Sequence, residues 1–196
     1  MFTNKYLISV VLMGLAFAKA VSQSEIQQKY ERERRIEIEE FPTNALEVVA
    51  LLNPKGKKIR FYEETDGTKL SYEAKLRSKG RKYSIEFNSD GILEDVEIRI
   101  PKRKINPVAL ERMDSLWRTV ARKYRIEKVQ EQYPNDGNSM METIARVEQR
   151  AVQGYEVVVA FKDQRKIYRK EYLIDHLGRV LQVRNVKRIG YDFLLF

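Results

Sequence analysis

The chain has 196 residues, of which 37 are Lys or Arg and 28 are Asp or Glu, so its formal net charge is +9. A hydrophobic fraction of 43% together with 33% charged residues is typical of a globular protein and excludes a disordered chain or a bundle of membrane helices. The absence of cysteine and the single histidine exclude a thiolate nucleophile, a disulfide framework and a Cys/His zinc site.

The N-terminal segment has the pattern of an export signal. Lys5 precedes an apolar run over residues 7–18, which has the length of a signal-peptide core and is too short to cross a bilayer comfortably. Two cleavage registers follow, Ala18-Lys19-Ala20 and Ala20-Val21-Ser22, and a buried N-terminal helix is the alternative. We predict a signal peptide over residues 1–22, with no cysteine for a lipid anchor and no transmembrane segment after cleavage. The protein is then periplasmic or secreted, which excludes nucleic acid as a partner.

Residues 23–41 are predicted to form a charged lead-in, helical or frayed at first and extended where Ile36 and Ile38 alternate with glutamates. After Pro42, apolar residues recur at helical spacing until Asn53-Pro54 and Gly56 end the run. These apolar residues are Ala45, Val48, Val49 and Leu52. Their spacing predicts a short, mostly buried helix.

Four segments with a period of two follow this helix. Their apolar residues are Ile59 and Phe61; Leu70, Tyr72, Ala74 and Leu76; Tyr83, Ile85 and Phe87; and Val96, Ile98 and Ile100. Gly67, Gly80 and Gly91 separate the segments, and glycine accepts the positive φ that tight hairpin turns require. The pattern predicts a four-stranded antiparallel meander with a charged face and an apolar face covered by the helix.

The second half repeats this plan. Pro107 opens a longer helix, residues 125–132 predict a strand, and the segments around Tyr155, Tyr172 and residues 180–186 match the later strands of the first meander. The apolar stripe of the helix consists of Leu110, Met113, Trp117, Val120 and Tyr124. An insertion near residues 133–151 contains a turn at 134–137, and residues 140–151 predict a short helix or a long flap. We therefore place a first repeat at residues 42–104 and a second at residues 105–196.

The predicted fold class is α+β, with two tandem helix-plus-four-stranded meander repeats that form one curved antiparallel sheet with the helices on one face. A short motif connects the halves: Tyr72-Glu73, the stretch 82–91 and the stretch 94–98 in the first, and Lys170-Glu171-Tyr172 with Asp175 and Gly178 in the second. Over about residues 36–190 the chain resembles the exported PepSY-like and beta-lactamase-inhibitor-like (BLIP-like) tandem-repeat proteins typical of Bacteroidota. The resemblance implies a sheet whose second face is free to bind protein, and it implies no particular target.

Neither catalysis nor metal binding is predicted. His176 stands beside Asp175, but adjacent side chains at a strand end point apart and a hairpin tip is open to water, so a turn residue is favoured over an acid–base pair. Calcium binding by the turn aspartates would need the spaced Asp-x-Asp-x-Asp-Gly pattern, which the chain lacks. These aspartates are Asp66, Asp90, Asp136 and Asp175. We expect no enzyme activity, no cofactor and no metal.

The aromatic residues are assigned mainly to packing. Trp117 lies four residues after Met113 and three before Val120, which places it on the apolar stripe and favours a core position over a binding anchor. The 11 tyrosines suit protein recognition or cross-strand pairing, and both alternatives stay open. The aromatic C-terminus, residues 191–196, is predicted to be a terminal strand or a tail docked on the domain.

Two basic clusters stand at the ends of predicted strands. Solvated lysines protect sheet edges from unwanted pairing, which is the favoured interpretation, and contact with anionic lipid or glycan is the alternative. The clusters are Lys79, Arg81 and Lys82, and Lys102, Arg103 and Lys104.

The charged sheet face is the predicted partner-binding surface. Strict alternation places on it Glu73 and Lys75 from the first meander and Glu156, Val158, Ala160 and Lys162 from the second. A face that is charged in one half and partly apolar in the other is not what a merely solvated surface needs. We predict an exported binding module that holds, and in one version inhibits, an unknown protein partner on this open face. The alternative is an envelope-surface adaptor that binds anionic lipid or glycan through the basic hairpins.

Overall fold

The computed structural model describes residues 27–29, 31–53, 58–137 and 139–186. The predicted signal peptide, the start of the lead-in and the aromatic C-terminus lie outside the described residues. The helices are α1 (Thr43–Leu52), α2 (Pro107–Val120) and α3 (Met140–Gln149), and short 3₁₀ turns span Ile38–Glu40 and Lys102–Lys104. The strands are β1 (Gln27–Lys29), β2 (Glu31–Ile36), β3 (Ile59–Asp66), β4 (Lys69–Ser78), β5 (Arg81–Asn88), β6 (Leu93–Arg99), β7 (Lys123–Pro134), β8 (Gly154–Asp163), β9 (Lys166–Asp175) and β10 (Val180–Val186).

All ten strands belong to one sheet with the order β1-β10-β9-β8-β7-β6-β5-β4-β3-β2. Every neighbouring pair is antiparallel except β1 with β10, which is parallel. The prediction of an α+β fold with an antiparallel sheet is therefore confirmed. The equivalence of the two halves as copies of one unit stays a prediction. Among the described residues, no helix combines the length and hydropathy needed to cross a membrane.

The lead-in closes the sheet. Its two strands, β1 and β2, stand at opposite ends of the strand order, yet one residue separates them in the sequence. Since a single residue spans only about 3.5 Å, the two ends of the sheet must meet there. The face turned away from the helices is therefore an inner face. The sequence predicts extended structure only around Ile36 and Ile38, whereas β1 already begins at Gln27 and β2 ends at Ile36. The prediction fails because Ile36 is the only apolar residue of β2, so the strand has no alternating pattern.

The apolar core lies between the helices and the outer face of the sheet. All four predicted residues of α1 are buried there, and Trp117 of α2 is completely buried, as predicted. Helix α2 ends at Val120, four residues before Tyr124, which lies on β7 and donates its hydroxyl hydrogen bond to the Asp114 carboxylate. The apolar stripe of α2 is therefore shorter than predicted, because Tyr124 contributes to the same core from strand β7 and not from the helix.

The inserted segment forms helix α3 and packs on the same face as the other helices. Ser139 and Glu142 form a reciprocal capping box that fixes its first turn. Ile144 and Val147 then join the core cluster that contains α1. The alternative of a long flap is thus excluded by the helical hydrogen bonds. Because α3 packs into the outer core, it does not lie over Val158, which is on the inner face.

Two turn glycines hold the strands against the helix starts. The Gly91 turn approaches Asn44, whose side-chain amide donates to the Asp90 carbonyl over 2.9 Å. Gly178 has a φ of +85°, and a Cβ added there would lie 2.8 Å from both the Cα and the carbonyl oxygen of Ala109. Only glycine meets both the conformational and the steric requirement at this position.

We expect Gly178→Ala to lower the free energy of unfolding by at least about 2 kcal/mol, because backbone strain and overlap with α2 add together. Gly67→Ala is the matched control, since its φ is +63° and nothing lies within 4 Å of the added Cβ. Urea denaturation monitored by Trp117 fluorescence measures both variants. Equal losses in the two variants would contradict the proposed contact with Ala109.

Candidate functional site: a basic cleft beside strand β7

The structure places most of the predicted partner-binding residues on the inner face. Glu73, Glu156, Val158 and Ala160 are between 3% and 7% exposed, Lys75 is half-buried, and Lys162 is exposed. Glu156 and Val158 lie on β8, two strands away from Asp95 on β6. A partner that contacts these residues has to reach the interior of the closed sheet, and their role as a binding surface stays a prediction.

Ion pairs balance the charge of the inner face. The Lys75 ammonium contacts a Glu33 carboxylate oxygen over 2.8 Å and a Glu73 oxygen over 2.7 Å. Lys128 pairs with Glu156 over 3.0 Å in the same way. These contacts join strands that are not all neighbours in the sheet, so they tie the interior together.

One acidic cluster on the inner face has the spacing of a metal site. Carboxylate oxygens of Glu33, Glu64 and Glu73 lie within 4.8 Å of one another. The Lys75 ammonium already contacts two of these three groups and supplies a positive charge there. Lys75, Glu33 and Glu73 therefore form an ion-pair network at this place.

Two carboxyl groups in the middle of this face have strongly altered acidity. Burial raises the pKa of Asp95 to about 7, against the lowering effect of the Gln132 amide, which donates to it over 2.7 Å. Burial also raises the pKa of Glu97 well above its usual range, and the neighbouring charges of Glu156 and Glu86 add to this effect. No ion pair with another described residue is found for Asp95 or Glu97, and both carboxyls favour the protonated form.

A cleft opens where β6 and β7 separate. Their pairing runs only from Asp95–Pro134 to Arg99–Gln130, and one more hydrogen bond joins the Ile100 amide to the Val129 carbonyl over 3.1 Å. Beyond that point the chain leaves the sheet towards α2, whereas β7 continues back to Lys123 along β8. The resulting cavity has a volume of about 590 Å³.

The walls of this cleft are strongly basic. Eight of its lining side chains are Lys or Arg, and Glu127 is the one acidic residue among them. The cationic residues, which we call the cleft cations, are Arg77, Arg81, Lys82, Arg99, Lys102, Lys104, Lys128 and Arg150. The Glu127 carboxylate pairs with two cations outside the lining, Arg169 over 2.7 Å and Arg125 over 2.8 Å.

The cleft cations differ in how their charge is compensated. Lys128 pairs with Glu156, and Arg150 pairs with Glu131 over 3.0 Å. By contrast, no ion pair to another described residue is found for Arg77, Arg81, Lys102 or Lys104. Burial lowers the pKa of Lys82, and the positive charges of Arg77, Arg99 and Arg60 lower it further. The cleft therefore has a positive potential that an anionic ligand would relieve.

The structure joins the two basic clusters that the sequence predicted separately. Arg81 and Lys82 reach the cleft from the β4–β5 hairpin, and Lys102 and Lys104 reach it from the 3₁₀ turn after β6. Sequence reasoning missed the other four cleft cations, each of which stands alone between residues of other types. These are Arg77, Arg99, Lys128 and Arg150.

Comparison with known proteins establishes the fold and no activity. No protein-family model matches the chain, and no curated protein matches it in sequence. A solved DUF2874 family protein from Bacteroides ovatus is 13% identical, with a TM-score of 0.52 over 80% of this chain and 98% of that one. A protein from Bacteroides eggerthii, provisionally described as periplasmic, is 11% identical, with a TM-score of 0.52 over 79% of this chain and 99% of that one.

A BLIP-like protein from Bacteroides fragilis is also similar, at 15% identity and a TM-score of 0.48 over 76% of this chain and 88% of that one. This score is too low to carry an argument. The Bacteroides ovatus and Bacteroides eggerthii structures show that the chain shares its fold with proteins of Bacteroides, in agreement with the Bacteroidota part of the predicted resemblance. The PepSY-like and tandem-repeat parts stay predictions.

We expect Asp95→Asn to raise the free energy of unfolding at pH 8 by roughly 1–3 kcal/mol, because each unit of raised pKa corresponds to about 1.4 kcal/mol. The folded-state pKa lies above the unfolded one, so the contribution of Asp95 is favourable below about pH 4 and is lost as the pH rises through about 7. The advantage of the variant should therefore vanish near pH 4. Urea denaturation between pH 4 and 8 measures it, with the exposed Asp163→Asn as control; a pH-independent difference would contradict the assignment.

A lysine substituted for a buried residue of the inner face tests whether that face is open to solvent. We expect Val158→Lys to lower the free energy of unfolding by about 3 kcal/mol or more, because it buries a second ammonium opposite Lys128. The nearest carboxylates, Glu156 and Glu171, already pair with Lys128 and Arg184. Ile167→Lys, on the neighbouring strand β9 and 60% exposed, is the control and should be nearly neutral. A Val158→Lys protein as stable as the wild type would show that the inner face is open and would support the predicted partner surface there.

Proposed function

We propose that the protein is an exported, non-catalytic binding module that holds an acidic protein partner in the basic cleft. The observation that carries this proposal is the convergence of eight cationic side chains on one cavity whose single carboxylate is paired elsewhere. Such a concentration of like charge weakens the fold by repulsion. An anionic ligand that neutralises the cleft cations removes this repulsion, and the free energy released favours its binding.

Both the volume and the location of the cleft suit a protein segment. A cavity of about 590 Å³ has the size of a ligand site and is larger than one inorganic anion needs. The cleft cations come from the β4–β5 hairpin, strands β6 and β7, the turn after β6 and the end of α3, so the site depends on the folded sheet. Scattered surface lysines would offer no such concave arrangement.

The chemistry of the described residues supports binding over catalysis. The single histidine, His176, is exposed in the β9–β10 turn, and its backbone amide donates to the Gln153 carbonyl over 3.0 Å. Its neighbour Asp175 uses its carboxylate within the same turn, where it accepts from the backbone amides of Leu177 and Arg179. These two groups are engaged by the turn, as a structural role requires.

Export and the repeat organisation belong to the same proposal. The signal-peptide pattern over residues 1–22 supports an extracytoplasmic location, where acidic proteins and anionic envelope polymers are both available partners. The order helix, four strands, helix, four strands, interrupted by α3, supports descent of the two halves from one unit. The Gly91 and Gly178 turns, each packed against the start of a helix, support it further.

We expect reversal of charge at the cleft to weaken binding of polyglutamate at least about tenfold, which corresponds to about 1.4 kcal/mol. The test variant is Lys102→Glu/Lys104→Glu, and the control is Arg165→Glu/Lys166→Glu, which changes the net charge equally at the exposed β8–β9 hairpin. Isothermal titration calorimetry at low salt and at about 0.5 M salt measures the affinity.

Equal affinity in the two double variants would contradict binding at the cleft. A sulfated polysaccharide or an anionic phospholipid vesicle that binds more tightly than polyglutamate, with the same dependence on Lys102 and Lys104, would contradict the acidic protein partner. That result would support the envelope-surface adaptor instead.

A further inference from the structure

We infer that the acidic partner enters the cleft as an extended strand that pairs with the free edge of β7. This inference rests on the proposed function and specifies how the partner is held. It follows from the backbone that lines the cleft, whereas the proposed function follows from the charges.

Strand β7 is paired on one side only along its first half. The β8 ladder accompanies it from Lys123 to Gln132. On the other side, the β6 ladder ends at Gln130, with one further hydrogen bond at Val129. The segment 123–128 therefore has a strand edge without a described neighbouring strand, and residues 126–128 of it line the cleft.

The free hydrogen-bonding groups of this edge point away from β8. In an antiparallel ladder, successive residues direct their N–H and C=O groups alternately to the two neighbouring strands. The Val129 carbonyl points towards the β6 side, where it accepts from the Ile100 amide. The bulge between Ile126 and Lys128 then shifts by one residue which backbone groups of β7 face β8. Tyr124 and Ile126 therefore turn their backbone groups away from β8, and no backbone hydrogen bond from either to another described strand is found on that side.

A side chain already occupies part of this edge. The Arg99 guanidinium donates to the Glu127 carbonyl over 3.0 Å. An incoming strand that supplies its own N–H group to this carbonyl would release Arg99 to pair with a carboxylate of the partner. The exchange keeps the carbonyl satisfied and turns a neutral contact of Arg99 into an ion pair.

Charge selects which strand can add. The exposed side chains of Lys123 and Arg125 flank the open edge, and cations at an edge oppose pairing with a second copy of this basic chain. Across the cleft, Arg77, Arg81 and Lys82 project from the β4–β5 hairpin. An acidic strand meets opposite charge on both sides, so the site favours a polypeptide with alternating Glu or Asp residues.

The decisive probe is a six-residue peptide of alternating Glu and Val with blocked ends. We compare the unmodified peptide with two isomers, one N-methylated at every Glu and the other at every Val. Alternate residues of an added strand face β7, so one isomer should bind at least about tenfold more weakly and the other about as tightly as the unmodified peptide. The two isomers have equal charge and equal methylation, which makes each the control for the other.

Backbone amide exchange followed by NMR locates the contact. We expect the unmodified peptide to slow the exchange of the Tyr124 and Ile126 amides, with the amide of Ile167 on β9 as a reference outside the cleft. A polysaccharide held by charge alone should leave the two β7 amides unprotected.

Two outcomes would overturn the inference. Both methylated isomers could bind like the unmodified peptide, or both could lose affinity equally. If the charge-reversal variant still lost affinity, the cleft would remain the proposed binding site and strand addition alone would be wrong. If neither experiment showed an effect, the proposed function itself would fail.

Discussion

A sheet that closes with a charged inner face must neutralise that face internally. Lys75 meets this constraint in the first half by contacting Glu33 and Glu73, and Lys128 meets it in the second half by contacting Glu156. Removing one partner of such a buried pair leaves an uncompensated charge, which is costly. Asp95 satisfies the same constraint differently, because its raised pKa favours the neutral acid.

The cleft follows from the way the chain crosses between the halves. After β6 the chain leaves the sheet at Pro101 to form α2 on the outer face, and it returns at Lys123 as β7. The strand that would continue β6 is therefore missing beside the first half of β7. Because the cations of the β4–β5 hairpin and of the turn after β6 both face this gap, the same crossing that builds the helical layer also concentrates positive charge.

How far the sequence predicts the fold depends on the contrast between successive residues. Strand β4 alternates apolar and charged residues strictly, and its prediction agrees with the observed strand. Strand β2 reads Glu-Arg-Glu-Arg-Arg-Ile, a run of charged residues with no apolar–polar alternation to predict a strand. Charged residues suit both of its faces, because Arg34 pairs with Glu63 and Glu33 pairs with Lys75. The boundary of α2 was missed for a related reason, since Tyr124 continues the helical spacing although it belongs to a strand.

The sequence by itself determined the α+β class, the helices at α1 and α2, most of the strands and the two basic clusters, because local periodicity and turn glycines carry that information. Only the tertiary structure decided that the charged face is an inner one and that the basic clusters share a cleft. Closure depends on β1 and β2 reaching opposite ends of the strand order, and the cleft gathers Arg77, Arg99 and Lys128 from three strands. Such contacts join residues distant in sequence, and no local pattern records which distant strands will meet.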